Sequence, residues 1–371
     1  MRLLILSCST GDGHNSAARA VAEEAVRRGI TYEIADPVRF QGPRAQRLVT
    51  SCYNGMIRRT PKMFGAVYKL GALYDAAGWR SPVYWANSLY TDKLQKYITD
   101  NGVDAVVSTH LYGMEAMTAL RRHTALRTPS VGVLTDYAVI PFFRETQLDS
   151  YCIPAASLAA PLKDRGIAEQ RIAVTGIPVS ARFSARLPQE EARRRLTLPQ
   201  GVPVILVMCG GVGCGNVGGL CDALLARAPA DARILVLTGR NEAMRRQLAE
   251  RGDSRLTAVP FTTEVPLYMN ASDALISKPG GLSSTEAATA RIPLVHLSSI
   301  PGCESENLRF FASHGMSHAA RSLQDAAEAA LHLATHPEAA AAMREAQARS
   351  MPENAAALVL KEVEKQCASL R

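Results

Sequence analysis

The chain has 371 residues, 47% of them hydrophobic and 20% charged, and carries a net charge of +8. These values describe a globular protein of about two domains with an affinity for polyanions, nucleotide phosphates and anionic membranes included. No apolar run reaches the ~18 residues of a membrane span, and the apolar core of the N-terminus is too short for a signal peptide, so a cytosolic location is expected. The eight cysteines (Cys8, Cys52, Cys152, Cys209, Cys214, Cys221, Cys303 and Cys367) form no CxxC pair, which argues against zinc and for reduced, mostly buried thiols.

Residues 3–8 (LLILSC) predict a strand, and the turn Gly11-Asp12-Gly13-His14 leads from it into a helical pattern over 16–28. That is the opening of a βαβ unit. Further strands are predicted at 32–36, 103–108, 131–135 and 150–153, with helical stretches between them. This makes residues 1–177 a parallel α/β domain. His14 falls at or near a helix N-terminus, where the dipole disfavours imidazolium and leaves a neutral ring fit for general-base work. A local cap is the other role open to it. His110 and Asp136 end predicted strands, and strand ends face the ligand crevice in doubly wound sheets; local turn chemistry is the other role open to them.

The segment 44–97 mixes basic residues (Arg58, Arg59, Lys62, Lys69, Arg80) with Tyr68, Tyr74, Trp79 and Trp85. Such a mixture suits a membrane interface, with ordinary packed helices and solvated charges as the other reading.

Residues 175–183 (TGIPVSARF) read as a linker. The alternation then resumes over 178–350, with strands predicted at 203–208, 233–238, 256–259, 274–277 and 293–297. After the first of these comes Gly210-Gly211-Val212-Gly213-Cys214-Gly215-Asn216. Its formal GxGxxG starts at Gly213, but the next strand ends in Thr238-Gly239-Arg240 without the acidic residue that an NAD ribose requires. A Gly loop facing a diphosphate is the better reading.

Ser277–Asn307 is the most informative stretch. In Lys278-Pro279-Gly280-Gly281 the glycines let backbone N–H groups approach a ligand, and a helix follows whose positive end favours phosphate. Ser283-Ser284-Thr285-Glu286 admits two roles: a capping box, or a carboxylate gripping a ribose diol. No DxD motif occurs, so a metal-independent diphosphate site is expected, with helix dipole and N–H groups offsetting charge. The Ala-rich stretch 337–371 is helical with a break at Met351-Pro352. Its last piece, within 351–371, is expected to pack back on the first domain.

With these residues in view, the chain resembles the processive diacylglycerol glycosyltransferases and monogalactosyldiacylglycerol synthases, and more distantly the lipid II-forming N-acetylglucosaminyltransferase. The motifs are GDGHNSAA, STH at Ser108–His110, TDY at Thr135–Tyr137, TGIPV at Thr175–Val179, KPGGLSSTEA at Lys278–Ala287 and IPGCESEN at Ile300–Asn307. The resemblance implies a GT-B fold, two Rossmann-like domains facing across a cleft. It also implies inverting transfer from a UDP-sugar to diacylglycerol at the cytoplasmic face of an anionic membrane. With no DxD motif, no metal or other cofactor is expected, and because the basic residues come with no nucleic-acid reading motif, no nucleic-acid partner is expected either. It makes His14 the candidate base and Glu286 the ribose ligand. Gly13, Gly210, Gly211, Gly213, Lys278, Gly280, Gly281, Ser283 and Ser284 fall on the UDP side. Glu304, Glu306 and Asn307 fall in a loop reading sugar and phosphate, and His110 and Asp136 on the acceptor side. Two positions depart from the family: Cys303 stands where relatives often carry Gln, and AVIPFFRET follows TDY in place of an aromatic-His-Pro segment. A non-hydrolysing UDP-sugar epimerase and a non-catalytic UDP-sugar sensor are the alternative readings.

Overall fold

The computed structural model describes residues 1–8, 12–42, 80–208, 216–298 and 302–369. The chain divides into two compact units. One holds residues 1–180 and the C-terminal residues from Asn354; the other holds Ala181 to Glu353 apart from a short crossing near residue 302.

The first unit is built on a six-stranded parallel sheet in the order β2-β1-β3-β4-β5-β6. Its strands are β1 (Arg2–Leu6), β2 (Thr31–Ala35), β3 (Ala105–Ser108), β4 (Ser130–Val133), β5 (Ser150–Ile153) and β6 (Ile172–Val174). β1, β3, β4 and β5 are near-continuous apolar runs because both of their faces are covered. Alternate residues go to opposite faces: Leu4, Leu6 and Val106 join one core layer, Leu3, Ile5 and Val107 the other. Helix α1 (Asp12–Arg27) follows β1, and α2 (Leu111–His123) follows β3. Gly113 lets α2 lie close on the sheet, since a Cβ there would stand 2.9 Å from Leu6 Cβ. Because β1 lies between β2 and β3, the chain leaves β1 for one side of the sheet and returns on the other. The C-terminal ends of β1 and β3 therefore form the topological switch point of this unit, where such sheets open a crevice.

The second unit repeats the plan, with strand order β12-β11-β10-β7-β8-β9, again all parallel. The strands are β7 (Val204–Met208), β8 (Arg233–Gly239), β9 (Leu256–Pro260), β10 (Ala274–Ser277), β11 (Leu294–His296) and β12 (His318–Ala319). Here the switch point lies between β7 and β10. Helix α3 (Gly281–Ala290) follows β10 and α4 (Cys303–Ser313) follows β11.

The chain ends on α5 (Ala355–Ala368), which belongs to the first unit. Its Val359, Leu360 and Val363 are fully buried in the layer that holds Leu3, Ile5 and Val131, and Arg28 of α1 reaches Glu364 at 3.1 Å. The sequence places a helix at the chain end; its apolar stripe at i, i+1 and i+4 is what seats it there.

All ten strands expected from the sequence are present, and the fold is the expected α/β type with two doubly wound sheets. β6 and β12 were not expected. β6 is a half-exposed edge strand of three residues and β12 has two residues, so neither carries an apolar run.

Candidate functional site

Each unit carries a cluster at its own switch point. In the first, α1 begins at Asp12, which puts Gly13 and His14 in its first turn at the end of β1. His110 is the N-cap of α2 at the end of β3, and its Nδ1 accepts the Tyr112 backbone N–H at 3.2 Å. The adjacency of β1 and β3 brings the two rings together: their centroids are 4.6 Å apart, edge to face. His110 stacks in the same way on Tyr112 at 4.5 Å.

His14 is half-buried and held from two further loops. Its Nδ1 lies 2.9 Å from the Thr109 carbonyl oxygen and 2.8 Å from the Thr135 hydroxyl, and Thr109 Oγ1 donates to the His14 carbonyl at 3.1 Å. Burial lowers the His14 pKa from its ordinary value against the opposing charge of Asp136 and the Thr109 bond. Burial also depresses His110 strongly, with the neighbouring His14 adding to it. Both rings are thus neutral at pH 7. His14, Thr109, Thr135 and Asp136 share a cavity of about 30 Å³ with Leu111, Met114, Ile140 and Phe143. That is room for a water-sized polar group beside an apolar wall. Thr109 and Thr135 were not singled out from the sequence, although STH and TDY contain them. A threonine in a loop carries no signal until the strands place it beside a ring.

In the second unit, β10 ends at Ser277 and the chain turns through Lys278-Pro279-Gly280 into α3. Gly280 is the N-cap at φ −75°, without a side-chain cap bond. That conformation is open to any residue, so space is what the glycine supplies. A Cβ at Gly280 would meet only the Lys278 side chain, at 3.9 Å. The Ser284 N–H bonds to the Gly280 carbonyl at 3.0 Å, and the N–H groups ahead of it stand at the helix's positive end. Lys278 Nζ lies 2.7 Å from Glu304 Oε1, and Asn307 Nδ2 donates to the Pro279 carbonyl at 3.0 Å. The head of α4 is therefore tied to the turn ahead of α3.

Three expectations are corrected. The capping box is not formed: α3 starts at Gly281, so Ser283 and Glu286 are already inside the helix, half-buried and one turn apart on the same face. Ser284 does not belong to an open site. It is fully buried and its hydroxyl meets His296 Nε2 at 2.8 Å, while His296 Nδ1 meets Ser317 at 3.0 Å. Glu304, Glu306 and Asn307 lie in α4 and not in a loop. Asn307 is buried as a staple, Glu304 pairs with Lys278, and Glu306 pairs with Arg309. Gly210, Gly211 and Gly213 lie outside the described residues, as do positions 44–79 of the basic-aromatic segment. Lys278, Gly280, Gly281, Ser283, Glu286 and Glu304 remain together at the C-terminal end of β10. At the same end of the sheet Phe261 follows β9. It is 57% exposed, and the Arg240 guanidinium stands 5.1 Å over its ring. An exposed aromatic after a strand has no sequence signal of its own.

Beyond residue 79 the basic-aromatic segment forms helices Pro82–Ser88 and Thr91–Asp100. Tyr84 and Tyr90 are buried, whereas Trp85 and Leu89 are 54% and 75% exposed, with Arg80 stacked over Tyr84 at 5.1 Å. Among the described residues no helix is long and apolar enough to cross a membrane.

Residues 14–179 match the family model for monogalactosyldiacylglycerol (MGDG) synthase. Over 350 residues the chain is 24% identical to a processive diacylglycerol beta-glucosyltransferase of Bacillus pumilus, covering 93% of this chain and 89% of that one. Among solved structures it is similar to Acinetobacter baumannii MurG, with TM-score 0.64, 16% identity and coverage of 98% and 99%. It is also similar to a UDP-GlcNAc 2-epimerase from Neisseria meningitidis, with TM-score 0.62, 14% identity and coverage of 98% and 100%. The fold is GT-B. The matched region begins at His14 of the GDGH turn and contains the STH and TDY motifs.

Proposed function

We propose that the chain is an inverting glycosyltransferase that moves a hexose from a UDP-sugar to diacylglycerol, or to a glycosylated diacylglycerol, at the cytoplasmic face of an anionic membrane. The observation that carries this reading is the neutral His14 imidazole at the switch point of the unit that matches the MGDG synthase family. Inversion needs one base to take the proton of the attacking hydroxyl, and His14 has the position and charge state for it. The apolar wall of Leu111, Met114, Ile140 and Phe143 suits the glycerol end of a lipid.

The second unit suits the donor. The α3 N–H groups and Lys278 would offset the diphosphate charge as UDP leaves, with no metal required. Glu286, half-buried one turn in from Ser283, would accept from the ribose hydroxyls, and the open face of Phe261 would take the uracil. Trp85, Leu89 and Arg80 supply the interfacial surface: an amphipathic ring and an apolar side chain beside a cation.

The test is incubation with UDP-glucose, UDP-galactose and UDP-N-acetylglucosamine on vesicles of diacylglycerol and anionic lipid, followed by mass spectrometry of the lipids. A glycosyl-diacylglycerol supports the proposal. Absence of every glycolipid together with absence of UDP binding sinks it. UDP-sugar interconversion without lipid would assign the chain to the epimerase reading, and binding without consumption to a sensor.

A further inference from the structure

A histidine base needs its lone pair on the nitrogen that faces the substrate, and the tautomer is set by whatever holds the other nitrogen. Nδ1 of His14 is 2.9 Å from the Thr109 carbonyl oxygen and 2.8 Å from Thr135 Oγ1. A carbonyl oxygen only accepts, so this contact puts the proton on Nδ1 and the lone pair on Nε2. The three residues leave the ends of β1, β3 and β4, which are neighbours in the sheet. Thr109 grips His14 twice, ring and backbone, and Thr135 is buried, so the clamp is stiff.

We propose that Thr135 is a positioning residue that, with the Thr109 carbonyl, fixes His14 as the Nδ1–H tautomer and so presents Nε2 to the acceptor hydroxyl. This rests on the reading of His14 as the base. A hydroxyl and a carbonyl take the place that a carboxylate holds in a Ser-His-Asp arrangement. The difference is chemical. A carboxylate bonded to Nδ1 would raise the basicity of the ring, whereas neutral partners orient the ring and leave it a weaker base. Among the described residues, the charged and titratable groups facing His14 are Asp136, beyond β4, and His110, at the head of α2. Asp136 acts through its charge and favours the imidazolium that forms after proton transfer. The edge-to-face contact of His110 confines the ring from the other side.

The experiment is long-range proton–nitrogen correlation on 15N-histidine-labelled protein, with the His14 signals identified by their loss in His14→Gln. At pH 7.5 the expected pattern is a protonated Nδ1 and an unprotonated Nε2. In Thr135→Val the Thr109 carbonyl keeps the proton on Nδ1, but the ring loses one of its two anchors, and turnover of the UDP-sugar falls about tenfold, the worth of one hydrogen bond, at unchanged KM. Thr135→Ser, which keeps the hydroxyl, restores turnover. An unprotonated Nδ1 in the wild-type protein overturns the proposal whether or not Thr135→Val folds. So does a Thr135→Val enzyme with wild-type turnover. If the wild-type protein turns over no UDP-sugar, the transferase reading falls, and the tautomer pattern still decides whether the clamp exists.

Discussion

Asn307, near the start of α4, donates its side-chain amide to the Pro279 carbonyl across 3.0 Å, and Lys278, one residue before that proline, reaches Glu304 of the same helix. The turn at the head of α3 is thus fixed from a neighbouring helix rather than by its own sequence. Asn307→Ala leaves a buried carbonyl without its partner, at a cost of ~1–3 kcal/mol. A lower melting temperature together with weaker UDP binding by calorimetry is expected. A lower melting temperature with unchanged UDP affinity would separate the turn from the donor site.

His14→Ala is expected to cut turnover by at least ~100-fold, the usual contribution of a general base, while UDP affinity stays put. Since burial holds the His14 pKa below its ordinary 6.5, the acidic limb of kcat/KM should fall below pH 6.5. Steady-state rates from pH 5 to 8 check both statements. Equal losses in turnover and in UDP affinity would remove the base assignment.

Phe261→Ala should weaken UDP binding by ~1–3 kcal/mol, the scale of stacking between a base and an aromatic ring. Its melting temperature should hold, because the ring is mostly exposed. Titration of UDP into both proteins measures the difference, and an unchanged dissociation constant counts against a base platform at this position.

His296 is fully buried between Ser284 and Ser317, and burial drops its pKa to about 3. The folded value lies below the unfolded value, so the unfolded state binds the extra proton first. Stability from this group is intact above pH 6.5 and falls between pH 6.5 and about 3 as the pH decreases. The slope is ~1.4 kcal/mol per pH unit for one proton. Denaturant unfolding between pH 7 and 4 should show that slope flattened in His296→Gln. An unaltered slope would mean that other groups carry the acid sensitivity.

Gly113→Ala pushes a methyl towards Leu6 and Ser108 at the seat of α2 on the sheet. Overpacking there is expected to cost ~1–3 kcal/mol. It should also displace His110, which caps the same helix, so activity should fall along with the melting temperature. A variant as stable and active as wild type would show that α2 has room to shift.

Much of this protein is set by its sequence alone. Runs such as LLIL, AVVS, VILVM and ALIS can only be strands buried on both faces, and helical patterns between them force parallel sheets. The GDGH, STH and KPGG motifs sit at strand ends because turns after such runs need Gly, Pro and short polar residues. That was enough to read the fold and to choose His14, His110, Lys278, Gly280 and Glu286 as candidates. The tertiary structure decided what the local sequence left ambiguous. Ser283-Ser284-Thr285-Glu286 spells a capping box, but the helix begins two residues before Ser283, because the β10 turn closes at Gly280. Ser284 and Asn307 read as ligand groups, yet one faces the His296 core and the other spans to Pro279. Thr109 and Thr135 have no local signature at all. They matter because strand order sets β3 and β4 beside β1, and only that long-range pairing brings a carbonyl and a hydroxyl to the Nδ1 of His14. A sequence fixes which residues are near a turn; the order of strands in the sheet fixes which turns are near each other.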